Sequence, residues 1–320
     1  MADSSRTARR PWCLAALGRR ERLPSQSMSS ASPVLRKIEE LDPVHDYQEI
    51  ARLDTCYEFP FDTTRALEFA LFRTFASPTI SSVLDSTQEF GRRAQRRYDD
   101  TDLILSEMLE EGLDSERGRM ALRRMNRLHG AYAISNEDFL YVLSTFVFEP
   151  IRWNERFGWR RLSEKERLAG FYYWREVGRR MAIRDVPETI DELERYNIAY
   201  ERAHFRYTET SRRVGEATRE MFLAWFLPPF LRPLGRPFYH AVIDDVLLDA
   251  FGWPRPPGWL RSLASSGLRL RGRLVRLFGD RHQPRLRTRM RHRTYPRGYR
   301  VEDLGPAAPA RDSVFLKSLD

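Results

Sequence analysis

Ser135-Asn-Glu-Asp-Phe-Leu-Tyr-Val-Leu-Ser-Thr-Phe-Val-Phe-Glu-Pro150 decides the fold class of this chain. Ser135-Asn-Glu-Asp138 has the spacing of a capping box, in which a hydroxyl and an acid three residues later take up free backbone N–H groups at a helix start. Behind it Phe139, Leu140, Leu143, Phe146 and Val147 recur every three or four places, which lines one face of a helix. Pro150, with no N–H to give, is expected to kink or stop that helix. Ser163-Glu-Lys-Glu166 repeats the signature ahead of Phe171, Trp174, Val177 and Met181.

The same period runs outward in both directions. Leu67, Ala70, Leu71 and Phe75 follow it after Asp62-Thr63 as far as Pro78, and Leu103, Leu105, Met108 and Leu109 mark a short helix that Gly112 ends. Further helices are expected over 188–207 after Pro187, over 211–226, and over 238–251 before Gly252. No alternating apolar–polar stretch with hairpin turns competes. The reading is an all-α protein with a single domain over residues 34–305 and no internal repeat. Residues 1–33, with six arginines by position 30 and a second methionine at Met28, read as a disordered leader or over-extended start, and 306–320 as a flexible tail.

At 320 residues, 42% hydrophobic and 31% charged, the chain has the makings of a soluble globular protein with a sizeable core. Its longest uncharged apolar run, Met221–Leu231, has eleven residues and includes Pro228-Pro229, too short to cross a membrane. The expected location is therefore cytoplasmic, membrane-peripheral at most. Two cysteines, Cys13 and Cys56, frame neither a disulfide scaffold nor a cysteine zinc site. The net charge of +9 conceals unlike parts, because residues 253–300 hold fourteen arginines against one acid, Asp280, while the remainder is slightly acidic. Within that stretch 258–277 forms a basic amphipathic helix, with Leu260, Leu263, Leu268, Leu270, Leu274 and Leu277 set against arginines. It reads either as a helix packed on the domain with a solvated basic face, or as one attached to an anionic membrane. With few interleaved aromatics and no known module, nucleic acid is not an expected partner.

The familiar chemical signatures are missing: no Gly-rich phosphate loop, nucleophile elbow, His-Glu-x-x-His pair or zinc-type cysteine pair. Attention falls on six histidines, of which His282 and His292 lie in the arginine-rich stretch and are expected in solvent. Glu201-Arg-Ala-His204 has the Glu-x-x-His spacing of di-iron bundles, but that chemistry needs a second copy, and no other histidine has a glutamate three places earlier. Tyr196, Tyr200, His204 and Tyr207 form a stripe that suits either core packing or the wall of an apolar pocket. His129, just ahead of the Ser135 cap, suits either a structural residue or a metal ligand whose second nitrogen is held by an acceptor.

The run Arg123-Arg-Met-Asn-Arg-Leu-His129 is followed by Ser135-Asn-Glu-Asp-Phe-Leu-Tyr141 and Thr145-Phe-Val-Phe-Glu-Pro-Ile-Arg152. Next come Glu176-Val-Gly-Arg-Arg-Met181, Ile183-Arg-Asp-Val-Pro187 and Tyr200-Glu-Arg-Ala-His-Phe-Arg-Tyr-Thr-Glu209. Together they resemble the MpaB / rubber oxygenase catalytic-domain family, over residues 40–300. The resemblance implies a globin-like helical core with a haem-sized internal pocket, haem b as cofactor, and oxidative cleavage of isoprenoid double bonds by dioxygen. It implies His129 as the ligand to the haem iron, with Arg124 and Arg127 of the same helix beside the cofactor. The family's distal Arg-x-x-Lys-Thr pattern corresponds to Arg97-Tyr-Asp-Asp-Thr101, so Arg97 and Thr101 become catalytic candidates, with Arg93 one turn earlier.

Asp100 stands where the family has lysine, a reversal of charge. A carboxylate cannot stabilise negative charge developing on oxygen, which turns the expectation from rubber toward a smaller lipid or terpenoid. From the residues alone, Arg97 also suits a solvated helix end and Thr101 the N-cap of a following helix. Tyr172, Tyr173, Trp174 and Tyr200 are expected to enclose an apolar substrate. The competing reading is a non-enzymatic helical protein that binds a lipid or partner and keeps the fold without haem chemistry.

Overall fold

Serine, threonine or aspartate side chains cap seven of the helix starts among the described residues. The computed structural model describes residues 32–279 and 283–306, and all regular structure among them is helical. In chain order the α-helices are α1 (Pro33–Glu40), α2 (Tyr47–Leu53), α3 (Pro60–Thr74), α4 (Pro78–Ser86), α5 (Glu89–Glu111), α6 (Glu116–His129) and α7 (Asn136–Phe157). They continue with α8 (Glu164–Arg180), α9 (Ile190–His204), α10 (Glu209–Ala224), α11 (Arg232–Ala241), α12 (Asp245–Phe251) and α13 (Gly258–Phe278), and a π-helical turn, Asp54–Glu58, joins α2 to α3. The expected leader, apart from its last two residues, lies outside the described residues, as do His282 and residues 307–320 of the expected tail.

Several expectations are corrected. The capping box at Ser135 is half-formed: the hydroxyl accepts from the Asp138 N–H at 3.0 Å, but the Asp138 carboxylate turns inward to accept from Thr79 and Tyr200. Ser163 makes the full box, and so does Thr189 with Glu192, which the sequence reading missed. Pro150 does not stop α7, because Trp153, Asn154 and Phe157 beyond it are buried and hold the second half of the helix in place. The short helix around Leu103 is the second half of the 23-residue α5, whose first half carries polar residues nearly all round. The single helix expected over 238–251 is two, because the Asp244 side chain caps a new start by accepting from the Leu247 N–H at 3.0 Å.

The main core gathers apolar faces of α5, α6, α7, α8 and α9, with Leu103, Met108, Leu143, Phe171, Val177 and Leu193 among its buried members. A second cluster joins Phe72 and Phe75 of α3 to Phe251 of α12 and Trp253. α13 lies against α7 so closely that a Cβ on Gly272 would meet the Phe157 carbonyl oxygen at 2.8 Å, so only glycine fits there. Arg73 of α3 forms a buried hub. Its Nε and Nη2 donate to Glu201 at 2.9 and 2.6 Å, Nη1 donates to Asp244, and Glu149 lies 3.5 Å away.

The arginine-rich chain after α13 is not a loose basic surface. Residues 285–306 form a strap over the acidic side of α5: Arg287 pairs with Asp102, Thr288 donates to Glu110 at 2.6 Å, and the Thr294 N–H donates to Asp99 at 2.8 Å. Tyr295 then donates to Asp100 and Tyr299 to Glu107, the latter at 2.5 Å. His292, expected in solvent, is buried under this strap with its Nε2 donating to the Arg287 carbonyl at 2.8 Å.

Candidate active site

An internal cavity of about 270 Å³ opens among α3, α5, α6, α7, α8 and α10. Its wall is mostly apolar, with Phe72, Phe75, Phe90, Phe139, Phe146, Trp174 and Phe222 contributing the aromatic surface. Three of the expected site residues reach it together: Arg97, Thr101 and His129.

His129 is the last residue of α6, and its ring meets Phe139 edge-on at 5.4 Å. Its Nδ1 is buried and has no hydrogen-bond partner. Burial, reinforced by the nearby charge of Arg97, pulls its pKa down from 6.5 to about 4. The imidazole is therefore neutral at physiological pH, with a lone pair available to a metal or a proton. No acceptor holds Nδ1, contrary to the expectation for a ligand histidine. The unfolded chain takes up a proton below pH 6.5 while the folded one resists until about 4, so this group's contribution is whole above pH 6.5 and is lost as pH falls through that window. The expected loss is about 1–3 kcal/mol, allowing for the ring's partial accessibility. Urea unfolding between pH 7 and 4.5 should show a shallower decline for His129→Phe than for the wild type; equal slopes would refute the neutral-histidine assignment.

Arg97 is not at a helix end, and it is half-buried. It sits within α5, its guanidinium donates to Thr101, and Thr101 in turn donates to the Arg97 carbonyl at 3.0 Å. Thr101 is thus a mid-helix partner and not an N-cap. No carboxylate lies within ion-pair distance of Arg97 among the described residues, and burial lowers its pKa despite Asp100 and Glu89 nearby. Asp100 also borders the cavity, but its carboxylate is engaged by Tyr295 of the strap. Asp100 therefore serves to fasten the strap.

The other expected site residues do not reach the cavity. α5 kinks at Arg93 (φ −142°, ψ 42°), which breaks the one-turn relation to Arg97, and Arg93 pairs with Glu89 at the surface. Arg124 donates to the Leu304 and Pro306 carbonyls at 2.6 and 3.3 Å, fastening the strap, while Arg127 is exposed. Of the four aromatics expected to enclose a substrate, Trp174 lines the cavity and Tyr172, Tyr173 and Tyr200 do not. The Glu201–His204 pair is no metal site, since Glu201 is taken by Arg73 and Tyr141 and His204 faces Glu137 at 3.2 Å. Sequence reasoning missed Gly305 and Pro306, which close the cavity beside His129. Gly305, at φ +86°, leaves no room for a Cβ against Leu128 at 2.4 Å.

Residues 66–277 match the family model described as ER-bound oxygenase mpaB/B'/Rubber oxygenase, catalytic domain. The ER-bound oxygenase mpaB' of Penicillium brevicompactum is 32% identical over 231 residues, covering 66% of this chain and 53% of that protein. The ER-bound oxygenase mpaB of Penicillium roqueforti is 31% identical over 211 residues, covering 60% of this chain and 70% of its own. The chain thus spans about half the length of the first relative. With the match running through all the helices that bring Arg97, Thr101 and His129 to the cavity, this chain belongs to the mpaB/B' and rubber oxygenase catalytic-domain family.

Proposed function

We propose that this chain is a haem b-dependent oxygenase with a globin-like core that takes an apolar isoprenoid or lipid substrate and dioxygen into the cavity. One observation carries the reading: a neutral histidine and a half-buried arginine without a carboxylate partner line the same apolar space. Among the described residues no three His, Cys, Asp or Glu side chains gather to hold a metal ion. A metal held by His129 must therefore bring most of its own ligands, as the iron of a porphyrin does. The residues present fit that group: His129 would hold the iron, and Arg97 is the cation for an anionic group.

When bound, haem supplies the redox-active iron at which dioxygen reacts. Arg97, oriented by Thr101, presents a fixed positive charge in a poorly solvated space, where it acts more strongly on developing negative charge than it would in water. Phe75, Phe146 and Trp174 exclude water and give an apolar substrate its contact surface. Peripheral membrane contact through α13 belongs to the same reading, since the Penicillium relatives are named ER-bound and apolar substrates partition into bilayers.

Oxygen uptake by haemin-reconstituted protein, supplied with an isoprenoid chain in detergent, tests the proposal. Arg97→Gln is expected to lower kcat about 10²–10³-fold while haemin uptake persists. An unchanged kcat rejects the role of Arg97, and protein that gains no uptake activity with haemin favours a binding function without haem chemistry.

A further inference from the structure

The molecule exposes apolar surface in two neighbouring places. The first is a groove of about 550 Å³ between α3, the end of α10 and α11. Its rim residues Phe226, Leu234 and Phe238 are 52–78% exposed, and Phe230, next in sequence to the groove-lining Leu231, is 76% exposed. The second is the outer side of α13, which packs against α11. Trp259, Leu263, Leu270, Leu274, Leu277 and Phe278 are 48–80% exposed there, and on a helical projection they fall within an arc of about 100°. The inward side of α13 is separate, with Leu268 packed on the cluster of Trp153 and Phe157.

Contiguous apolar exposure of this kind marks a surface that meets something. Its charge says what. α13 contains Arg261, Arg269, Arg271, Arg273 and Arg276 and no acid; Arg261 and Arg271 are paired with Asp245 and Asp62, while Arg269, Arg273 and Arg276 flank the stripe. A second copy of the chain docked by the same stripe would set arginines against arginines, which costs affinity. An anionic bilayer offers hydrocarbon to the leucines and phosphate to the arginines, the environment of an in-plane interfacial helix. No described helix is long and apolar enough to cross a membrane, so the contact is peripheral.

The groove also lies next to the cavity. Glu68, Phe72 and Phe222 line both. Glu68 accepts from Tyr98 at 2.5 Å and pairs with Arg65 at 2.7 Å, which holds it in place between the two spaces.

We propose that the α11–α13 face seats on an anionic bilayer and that the groove is the port through which an apolar molecule leaves the hydrocarbon for the cavity, past Phe72 and Phe222. The port rests on the cavity being the substrate site; the seating does not. Full-chain protein is sedimented with phosphatidylcholine vesicles with and without phosphatidylglycerol. Binding is expected on the anionic vesicles and weakened by salt. It should fall about tenfold or more in Phe230→Ser/Leu234→Ser and again in Leu270→Ser/Leu277→Ser, pairs at exposed positions that leave the core intact. Absence of binding, indifference to either pair, or conversion of a dimer to a monomer by these substitutions would overturn the seating.

For the port, transfer of diphenylhexatriene from anionic vesicles to the protein is followed with time. Phe222→Ala should speed it and Phe222→Trp slow it, each by about threefold. Unchanged rates in both overturn the port. Normal haemin uptake without vesicle binding would sink this inference and leave the oxygenase reading standing, and vesicle binding without haemin uptake would do the reverse.

Discussion

Haemin-reconstituted His129→Ala is expected to lose the Soret band of the wild-type complex, with haemin affinity down at least about a hundredfold. The physical ground is that His129 is the one histidine on the cavity wall among the described residues. Its Nδ1 is buried without a hydrogen-bond partner, which costs stability, and its ring is neutral at physiological pH. The substitution removes that orphaned group as well as the donor, so the apoprotein should keep its stability to within about 1–2 kcal/mol while it loses the cofactor. Added imidazole should restore part of the spectrum by entering the space the side chain vacates. A variant whose spectrum matches the wild type would remove His129 from the site and the haem proposal with it.

Arg73→Met is expected to be the most damaging single substitution for the fold, costing about 3–5 kcal/mol. It leaves Glu201 and Asp244 without the cation that pairs them, and Glu149 with Arg152 alone. Burial alone would raise the pKa of Asp244, and the Arg73 charge overrides it and lowers it. In the wild type this pairing stabilises above the ordinary carboxylate range and is lost as pH falls through the depressed folded value. In the variant the sign reverses: the uncompensated acids destabilise most at neutral pH, and the deficit shrinks as acidification protonates them. Urea unfolding at pH 7 and pH 5 measures both effects. Arg73→Lys should recover little, because one ammonium cannot reproduce the bidentate fork on Glu201. A loss under about 1 kcal/mol for Arg73→Met would mean that the hub does not hold these helices together.

Helices α7 and α8 were legible because cap and apolar period agree at Ser135 and Ser163. The first half of α5 was not, since Arg92 to Asp102 offers no apolar stripe and is stabilised instead by the strap and the cavity wall. Asp244 was a readable cap, but Val242 and Ile243 carry the apolar period across it and disguise the break. In the site, His129, Arg97 and Thr101 were found through motif order. Arg93 and Arg124 were misplaced by a kink and by partners about 180 residues distant, neither of which local spacing encodes. Tyr173 and Trp174 are neighbours on one helix about 100° apart, so a helix that turns one to the cavity turns the other away.

The match to the family ends at residue 277, but the molecule's finished form does not. A recombinant fragment trimmed to that boundary would retain almost all of the helical scaffold and forfeit its roof. Five carboxylates between Asp99 and Glu110 would then each lose a hydrogen-bond donor, Asp102 its arginine, and the cavity floor at Leu128 would open to water where Gly305 now covers it. The smallest faithful version of this protein therefore reaches at least to Pro306.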